Sequence, residues 1–437
     1  MSSFSIMVHE KTTTALTFED FKIEVLNDYK IAVTSRECSL LGRKEVLTGK
    51  AKFGIFGDGK EVPQLAMAKY FKNGDFRSGY YRDQTFMMAI GQLTIKEFFA
   101  GLYGHTDLDY EPMSAGRQMG GHFVTHSLHA DGSWKNLTEQ KNSSSDISPT
   151  AAQMPRLLGL AYASKIYRQV PGITNAENFS NEGNEIAWGT IGNASTSEGV
   201  FFETINAAGV LQVPMVMSVW DDEYGISVHA KHQTTKESIS EILKGYQREN
   251  GTNGFEILQV KGWDYADLIA TYEKAAEVAR KEHVPVLVHV SQLTQPQGHS
   301  SSGSHERYKS TERLAWEKDY DCIRQMRLWM IAINIASPEE LDEIDANAKI
   351  AVLEGKKEAW KEFIDPIIHE QKELLLLLEK VAEMSQNKTK ILQLTAVLKN
   401  TKDPLKKEIL GTARKVLRLV NKESGQAELS QWIQDRK

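Results

Sequence analysis

Four short, largely apolar runs, separated by stretches of helical length, constrain this chain more than any other feature. They fall at residues 185–191, 213–220 (VPMVMSVW within it), 255–260 and 286–290. Runs this short, closed by glycine or polar residues, read as buried strands rather than helices. Residues 197–211 and 264–283 lie between them with helical spacing, and residues 151–170, with Pro155 in the first turns, read as a helix ahead of the first run. Strands alternating with helices of this length imply right-handed βαβ units and a parallel sheet covered on both faces, an α/β fold. In such sheets ligands bind beyond the carboxyl ends of the strands. The residues that follow Ile191, Trp220 and Val290 are therefore the first candidates for a functional site.

The flanks differ in texture. Residues 1–75 carry short amphipathic stretches and a basic segment at 43–52, and are expected to form an N-terminal helical region. Residues 76–315 hold most of the glycines and histidines and are expected to be the α/β domain. Residues 316–437 are rich in Glu, Lys, Leu and Ala, and predict a helical C-terminal region with starts near Pro338 and Pro404. The length of 437 residues leaves ample chain for a sizeable core, and 41% hydrophobic with 25% charged residues excludes a disordered chain, a collagen or a disulfide scaffold. A net charge of -6 argues against binding nucleic acid through bulk charge. Cys38 and Cys322 have no framework or metal spacing, which suits a reducing compartment. The N-terminus shows no secretory signal, and the leucine run at 374–378 is too short to span a bilayer. The expectation is a soluble cytoplasmic protein without nucleic-acid or membrane partners.

Two strand ends carry chemistry. After the first run comes Gly192-Asn193-Ala194-Ser195-Thr196-Ser197-Glu198-Gly199. Small residues let the backbone approach a ligand, and a following helix N-terminus favours an anion such as diphosphate. After the second run comes Asp221-Asp222-Glu223-Tyr224-Gly225-Ile226-Ser227. Adjacent acids there suit a hard cation such as Mg²⁺, which needs only one or two carboxylates beside carbonyls and diphosphate oxygens. Taken by position alone, the same residues could equally be two polar loops with an exposed acid pair.

Gly192 and Asp222 stand thirty positions apart. In that spacing the segment resembles the thiamin diphosphate motif. More closely, it resembles the α chain of the 2-oxo acid dehydrogenase E1 components, where GDGATSEG is followed by a helix and ENNxYAIS. Here the text is GNASTSEG, then WDDEYGIS. The resemblance implies a metal held by the side chains of Asn193 and Asp222 and the backbone carbonyl of Tyr224. Acid and amide have exchanged positions relative to the family, which keeps the ligand charge and reads as a compensated exchange. Gly57-Asp58-Gly59 spells the first motif more faithfully, but residues 84–90 hold no Asn or Asp and no apolar run precedes Gly57. Gly59-Lys60-Glu61-Val62 resembles the family's GQEA segment and is read as structural.

Further matches follow in order. Tyr80-Tyr81-Arg82 resembles the family's YR pair, whose arginine donates to diphosphate. Gly116-Arg117-Gln118-Met119-Gly120-Gly121-His122 resembles GRQMPVH. Ile147-Ser148-Pro149-Thr150 opens a segment similar to SSPLATQIP, which implies that Ser148 and Thr150 hold the aminopyrimidine. Gly298-His299-Ser300 resembles the GHS of the family's regulatory loop, which gives His299 a part in proton handling. The family's arginine four residues earlier is Gln295 here. The cofactor-binding set implied is Tyr81, Arg82, Ser148, Thr150, Gly192, Asn193, Ala194, Ser195, Asp222, Tyr224, Gly225, Ile226 and His299, with His299 also serving the chemistry.

The resemblance covers roughly residues 40–315, and implies the α component of a thiamin diphosphate- and Mg²⁺-dependent 2-oxo acid dehydrogenase, nearer the branched-chain (2-oxoisovalerate) type than the pyruvate type. Such an enzyme decarboxylates a 2-oxo acid and passes the acyl unit to the lipoyl group of a partner, E2. The glutamate that activates the cofactor belongs to a β part, and no strand signals after residue 330 supply one. The β part is expected as a separate chain or the rest of a fused polypeptide, in an α2β2 assembly or a fused dimer, with the helical tail as a possible connector. Two alternatives stand beside this reading: a silent scaffold of the same fold, with Asn193 and Trp220 as marks of decay, and another thiamin diphosphate enzyme such as a transketolase-like half.

Overall fold

In a computed structural model, residues 17–436 are described. They include a six-stranded sheet whose strands all run parallel. In chain order the strands are β1 (Phe76–Ser78), β2 (Asn142–Ser143), β3 (Ala187–Gly192), β4 (Met215–Trp220), the small antiparallel pair β5 (Tyr224–Gly225) and β6 (Val228–His229), then β7 (Glu256–Lys261) and β8 (Val286–Ser291). The sheet order is β2-β1-β3-β4-β8-β7. The four apolar runs are β3, β4, β7 and β8, within two residues of their expected bounds. Strands β3, β4 and β8 are buried along nearly their whole length, as runs without alternation require. The two additional strands, three and two residues long, carry too little apolar text to be seen.

Helix Gly199–Leu211 connects β3 to β4, and helix Tyr265–Glu277 connects β7 to β8. Met154, Leu157 and Ala161 of helix Gln153–Gln169 join Phe201, Ile205 and Ala208 in one apolar core against Ile191, Met215, Met217 and Val219 of the sheet. Burial of such side chains supplies the main drive for this layer, about 1.5–3 kcal/mol for each large one. Beneath β1 lies a charged core. The buried Arg77 guanidinium bonds Asp83 and Asp146, and Asp83 also accepts from Thr190 of β3.

The N-terminal region is helical, as expected, with helices Phe18–Leu47 and Glu61–Tyr70, but the first runs 30 residues rather than forming a short stretch. Its buried face carries Asp28, Ser35, Ser39 and Glu45 beside Val25, Tyr29 and Val33, so no apolar stripe marks it in the sequence. Polar partners satisfy that face: Ser35 and Ser39 meet Gln84, and Asp28 meets Lys69 and Tyr265.

Contacts divide the chain otherwise than the three textures do. One unit comprises residues 17–94 and 118–352 of the described chain, and contains the sheet. The other comprises residues 95–117 and 353–436. The second unit is helical and has its own core, in which Leu374, Leu378 and Val381 pack with Ile391, Leu398, Ile409, Val416 and Leu429. Helix Pro338–Glu383 begins where its proline predicts, with Ser337 and Glu340 bonding each other's backbone N–H as a capping box. Among the described residues no helix is long and apolar enough to cross a membrane.

Candidate functional site

A cavity of about 400 Å³ opens at the carboxyl ends of β3 and β4, where a parallel sheet is expected to receive a ligand. Its wall takes Gly192, Asn193, Ala194 and Ser195 from the turn after β3, and Trp220, Asp222, Tyr224, Gly225 and Ile226 from the segment after β4. Tyr80, Tyr81 and Arg82 enter after β1, His299 after β8, and Thr150 from the turn before helix Gln153–Gln169. These segments approach from five separate stretches of chain, which the parallel topology alone brings together.

The turn after β3 is a 3-10 helix, Asn193–Ser197, and the following helix starts only at Gly199. The close backbone approach is therefore made by this turn rather than by the helix N-terminus. Gly225 keeps it near the β4 loop: a Cβ there would meet Ala194 Cβ at 2.6 Å.

The tandem acids divide their work. Asp221 turns into the sheet, where its Oδ2 meets Nε2 of buried His289 at 2.9 Å and its Oδ1 accepts from the Glu223 amide. Asp222 alone faces the cavity. Its Oδ1 accepts from the Tyr224 amide at 3.1 Å and its Oδ2 from the Lys60 ammonium at 2.9 Å. Burial by itself would raise the Asp222 carboxyl, but Lys60, Arg82 and Lys309 outweigh it and hold it below the usual carboxylate range. Burial pushes the Lys60 amine down from its ordinary value, against the pull of Asp222.

Arg82 is buried, and its guanidinium donates to the Phe56 carbonyl at 2.6 Å and to His299. His299 is pushed down to about 4, by burial first and by the Arg82 charge second. Its loop is tied from outside the sheet: Arg43 donates to the carbonyls of Gln297, Ser300 and Gly303, and Ser301 exchanges bonds with Gly54. Tyr80 presents a buried hydroxyl with no partner among the described residues. Buried polar atoms are rarely left so, and one beside a cavity suits a ligand. Ile226 is 62% exposed and sits at a φ of 57°, an uncommon pairing for a β-branched residue. Such strain persists where surroundings impose it, often at ligand sites.

Of the residues expected to bind cofactor, Ser148 is the one outside this wall. It is exposed, and its hydroxyl meets His122 Nε2 at 3.0 Å. Lys60, Tyr308, Lys309, Gln233 and Gln295 line the cavity without having been expected there. Lys60 comes from the segment read as structural. Gly59 delivers it, with a φ of 85° and no room for a Cβ, which would lie 2.1 Å from the Thr294 carbonyl oxygen. Lys60 Nζ also bonds the Gln295 side chain, so the cation of this corner is Lys60, where the family's arginine is missing. The lining carries Lys60, Arg82 and Lys309 against Asp222, although Lys309 is also paired with Glu317. That excess, with the Tyr80 hydroxyl, fits an anionic ligand such as a diphosphate.

The family model described as "Dehydrogenase E1 component" matches residues 29–367. The chain is 27% identical to 2-oxoisovalerate dehydrogenase subunit alpha of Bacillus subtilis over 305 residues, which is 68% of this chain and 80% of that protein. It is 25% identical to the mitochondrial 2-oxoisovalerate dehydrogenase subunit alpha 1 of Arabidopsis thaliana, across 72% of this chain and 58% of that protein. It is 26% identical to the pyruvate dehydrogenase E1 component subunit alpha of Rickettsia bellii, across 47% of this chain and 56% of that protein. The chain thus spans most of the bacillary relative but little more than half the length of the other two.

Proposed function

The chain belongs to the dehydrogenase E1 component family, and from that premise we propose that it is the α component of a 2-oxo acid dehydrogenase. In this reading it takes thiamin diphosphate, works with a β part, and hands an acyl unit to a lipoyl-bearing E2. Branched-chain 2-oxo acids are favoured over pyruvate, in line with the names of the first two relatives above.

One observation carries the reading. The cavity wall gathers the glycine turn after β3, the Asp222 segment after β4, Arg82 and His299, from segments far apart in sequence, around a surplus of positive charge. Thiamin diphosphate, when bound, supplies the carbanion and the electron sink for decarboxylation. The chain's own residues do the rest. Arg82 and Lys60 attract the diphosphate, Gly192, Asn193, Ala194 and Ser195 let backbone approach it, and Thr150, Tyr81 and Gly225 border the remainder. Ile226, exposed and strained, supports the cofactor's bend. His299 holds a proton on the ring nitrogen that Arg82 does not engage. Asn193, Asp222 and the Tyr224 carbonyl are the candidates for Mg²⁺. Their fit to it is poor in one respect: Asp222 already holds an ammonium, and both its oxygens are engaged.

The test is reconstitution. The chain alone should turn over no 2-oxo acid at an appreciable rate, and addition of a β part should bring activity, faster with branched-chain substrates than with pyruvate. A silent scaffold would bind no thiamin diphosphate in either form. Robust turnover by the chain alone would remove the dependence on a β part.

A further inference from the structure

Lys60 is buried, at 1% exposure, in the wall of a cavity whose surplus of positive charge suits an anionic ligand. Its amine has three partners, Asp222 Oδ2 at 2.9 Å, the Thr294 carbonyl at 3.0 Å and Gln295 Oε1 at 2.7 Å. The Gln295 oxygen faces Lys60 because its amide nitrogen donates to the Asp58 carbonyl at 3.1 Å. All three partners are therefore acceptors. A neutral amine offers two donors and a lone pair, so only the ammonium form satisfies this corner. Three oxygens surround the nitrogen much as they would surround a hard cation.

The same geometry withholds ligands from a divalent ion. Asp222 is the sole carboxylate of the cavity wall, and each of its oxygens already accepts one bond, Oδ2 from the Lys60 ammonium and Oδ1 from the Tyr224 amide. Asn193 offers an uncharged amide. A divalent ion bonded to Asp222 would either displace the ammonium or lie directly beside it, and two cations at such a distance repel.

We propose that Lys60 takes the part of the divalent cation, so that this chain binds its diphosphate ligand through a built-in ammonium and the Arg82 guanidinium without Mg²⁺. The proposal rests on the thiamin diphosphate reading of the site and specifies how that ligand's charge is met. It also makes the acid at position 222 an anchor for Lys60 rather than a metal ligand.

The experiment is calorimetric titration of thiamin diphosphate into the full chain assembled with its β part, in excess EDTA and in millimolar Mg²⁺. Affinities within about twofold of each other are expected, because the cation is part of the protein. Lys60→Gln keeps a polar group but removes the charge, and should weaken binding in EDTA by about 10–100-fold, the worth of one charge-assisted contact. Mg²⁺ should recover part of that loss, since Asp222 is freed. A second measurement does not depend on the variant's folding: Mn²⁺ added to the wild-type complex with thiamin diphosphate should show no tightly bound ion by water-proton relaxation. Binding that disappears in EDTA and returns with Mg²⁺, or a tightly bound Mn²⁺, overturns the proposal and leaves the cofactor reading intact. No binding in either condition overturns both.

Discussion

One terminal nitrogen of Arg82 donates to both Nδ1 and the carbonyl oxygen of His299, each at 3.0 Å. Arginine has no acceptor, so Nδ1 is the ring's acceptor and the ring proton sits on Nε2. One bidentate contact thus sets the tautomer of the histidine and the orientation of the guanidinium together.

The first prediction follows from that contact. His299 should titrate near about 4, as burial and the Arg82 charge demand, instead of at its ordinary 6.5. The folded value lies below the unfolded one, so the unfolded chain binds the proton more readily. The stability gained by keeping the ring neutral is complete above pH 6.5 and is lost as pH falls through about 4. Nitrogen NMR of the labelled ring should report the Nε2–H form at neutral pH. A midpoint at or above about 6 would show that the ring is not held this way.

The second prediction concerns the chemistry. His299→Ala should cut turnover of the reconstituted complex by about 10²–10⁴-fold, the range of general acid-base assistance. Cofactor affinity should change far less, because Arg82 keeps its bond to the Phe56 carbonyl. Steady-state kinetics beside a cofactor titration separates the two. Unchanged turnover would make His299 a loop residue.

Stability should depend on the charged core under β1. Asp83→Ala leaves Arg77 with Asp146 as its only carboxylate and removes the acceptor used by Thr190 and the Tyr80 amide. Breaking a buried pair from one side costs about 3–5 kcal/mol. Urea denaturation should show a loss of that size for Asp83→Ala and a smaller one for Asp83→Asn. A loss below about 1 kcal/mol would place the pair among those that solvent screens.

Arg43 offers a fourth prediction. It is the clamp on the His299 loop through three carbonyls, and Arg43→Met keeps its aliphatic stem. Amide exchange across residues 297–303 should quicken by about tenfold or more, the equivalent of one to two lost hydrogen bonds, while the sheet stays protected. Equal exchange in both proteins would leave the clamp without effect.

Much of this was readable from residue order, for identifiable reasons. Strands β3, β4 and β8 are buried along nearly their whole length, so each is written mostly in apolar residues, with a single polar residue such as Thr190, Ser218 or His289 inside it. The residues that line the cavity at their ends share one wall, and the family resemblance groups them because it fixes residue types at set spacing. Helix Phe18–Leu47 was not legible as one element, since Gln84, Lys69 and Tyr265 satisfy its polar face and no local signal reveals partners so far away. Lys60 escaped for a related reason: nothing near residue 60 announces that it will meet Asp222. Composition alone does not separate Asp221 from Asp222; in the structure His289 on β8 takes the first and Lys60 the second.

The ion pair between Lys60 and Asp222 joins positions 162 apart in the chain. Neither can drift alone. A neutral residue at 60 would leave a buried carboxylate without its counter-charge, and a neutral residue at 222 would strand a buried ammonium. Descent should therefore have passed these two positions on as a unit, with lysine at one and aspartate at the other gained or lost together across a lineage.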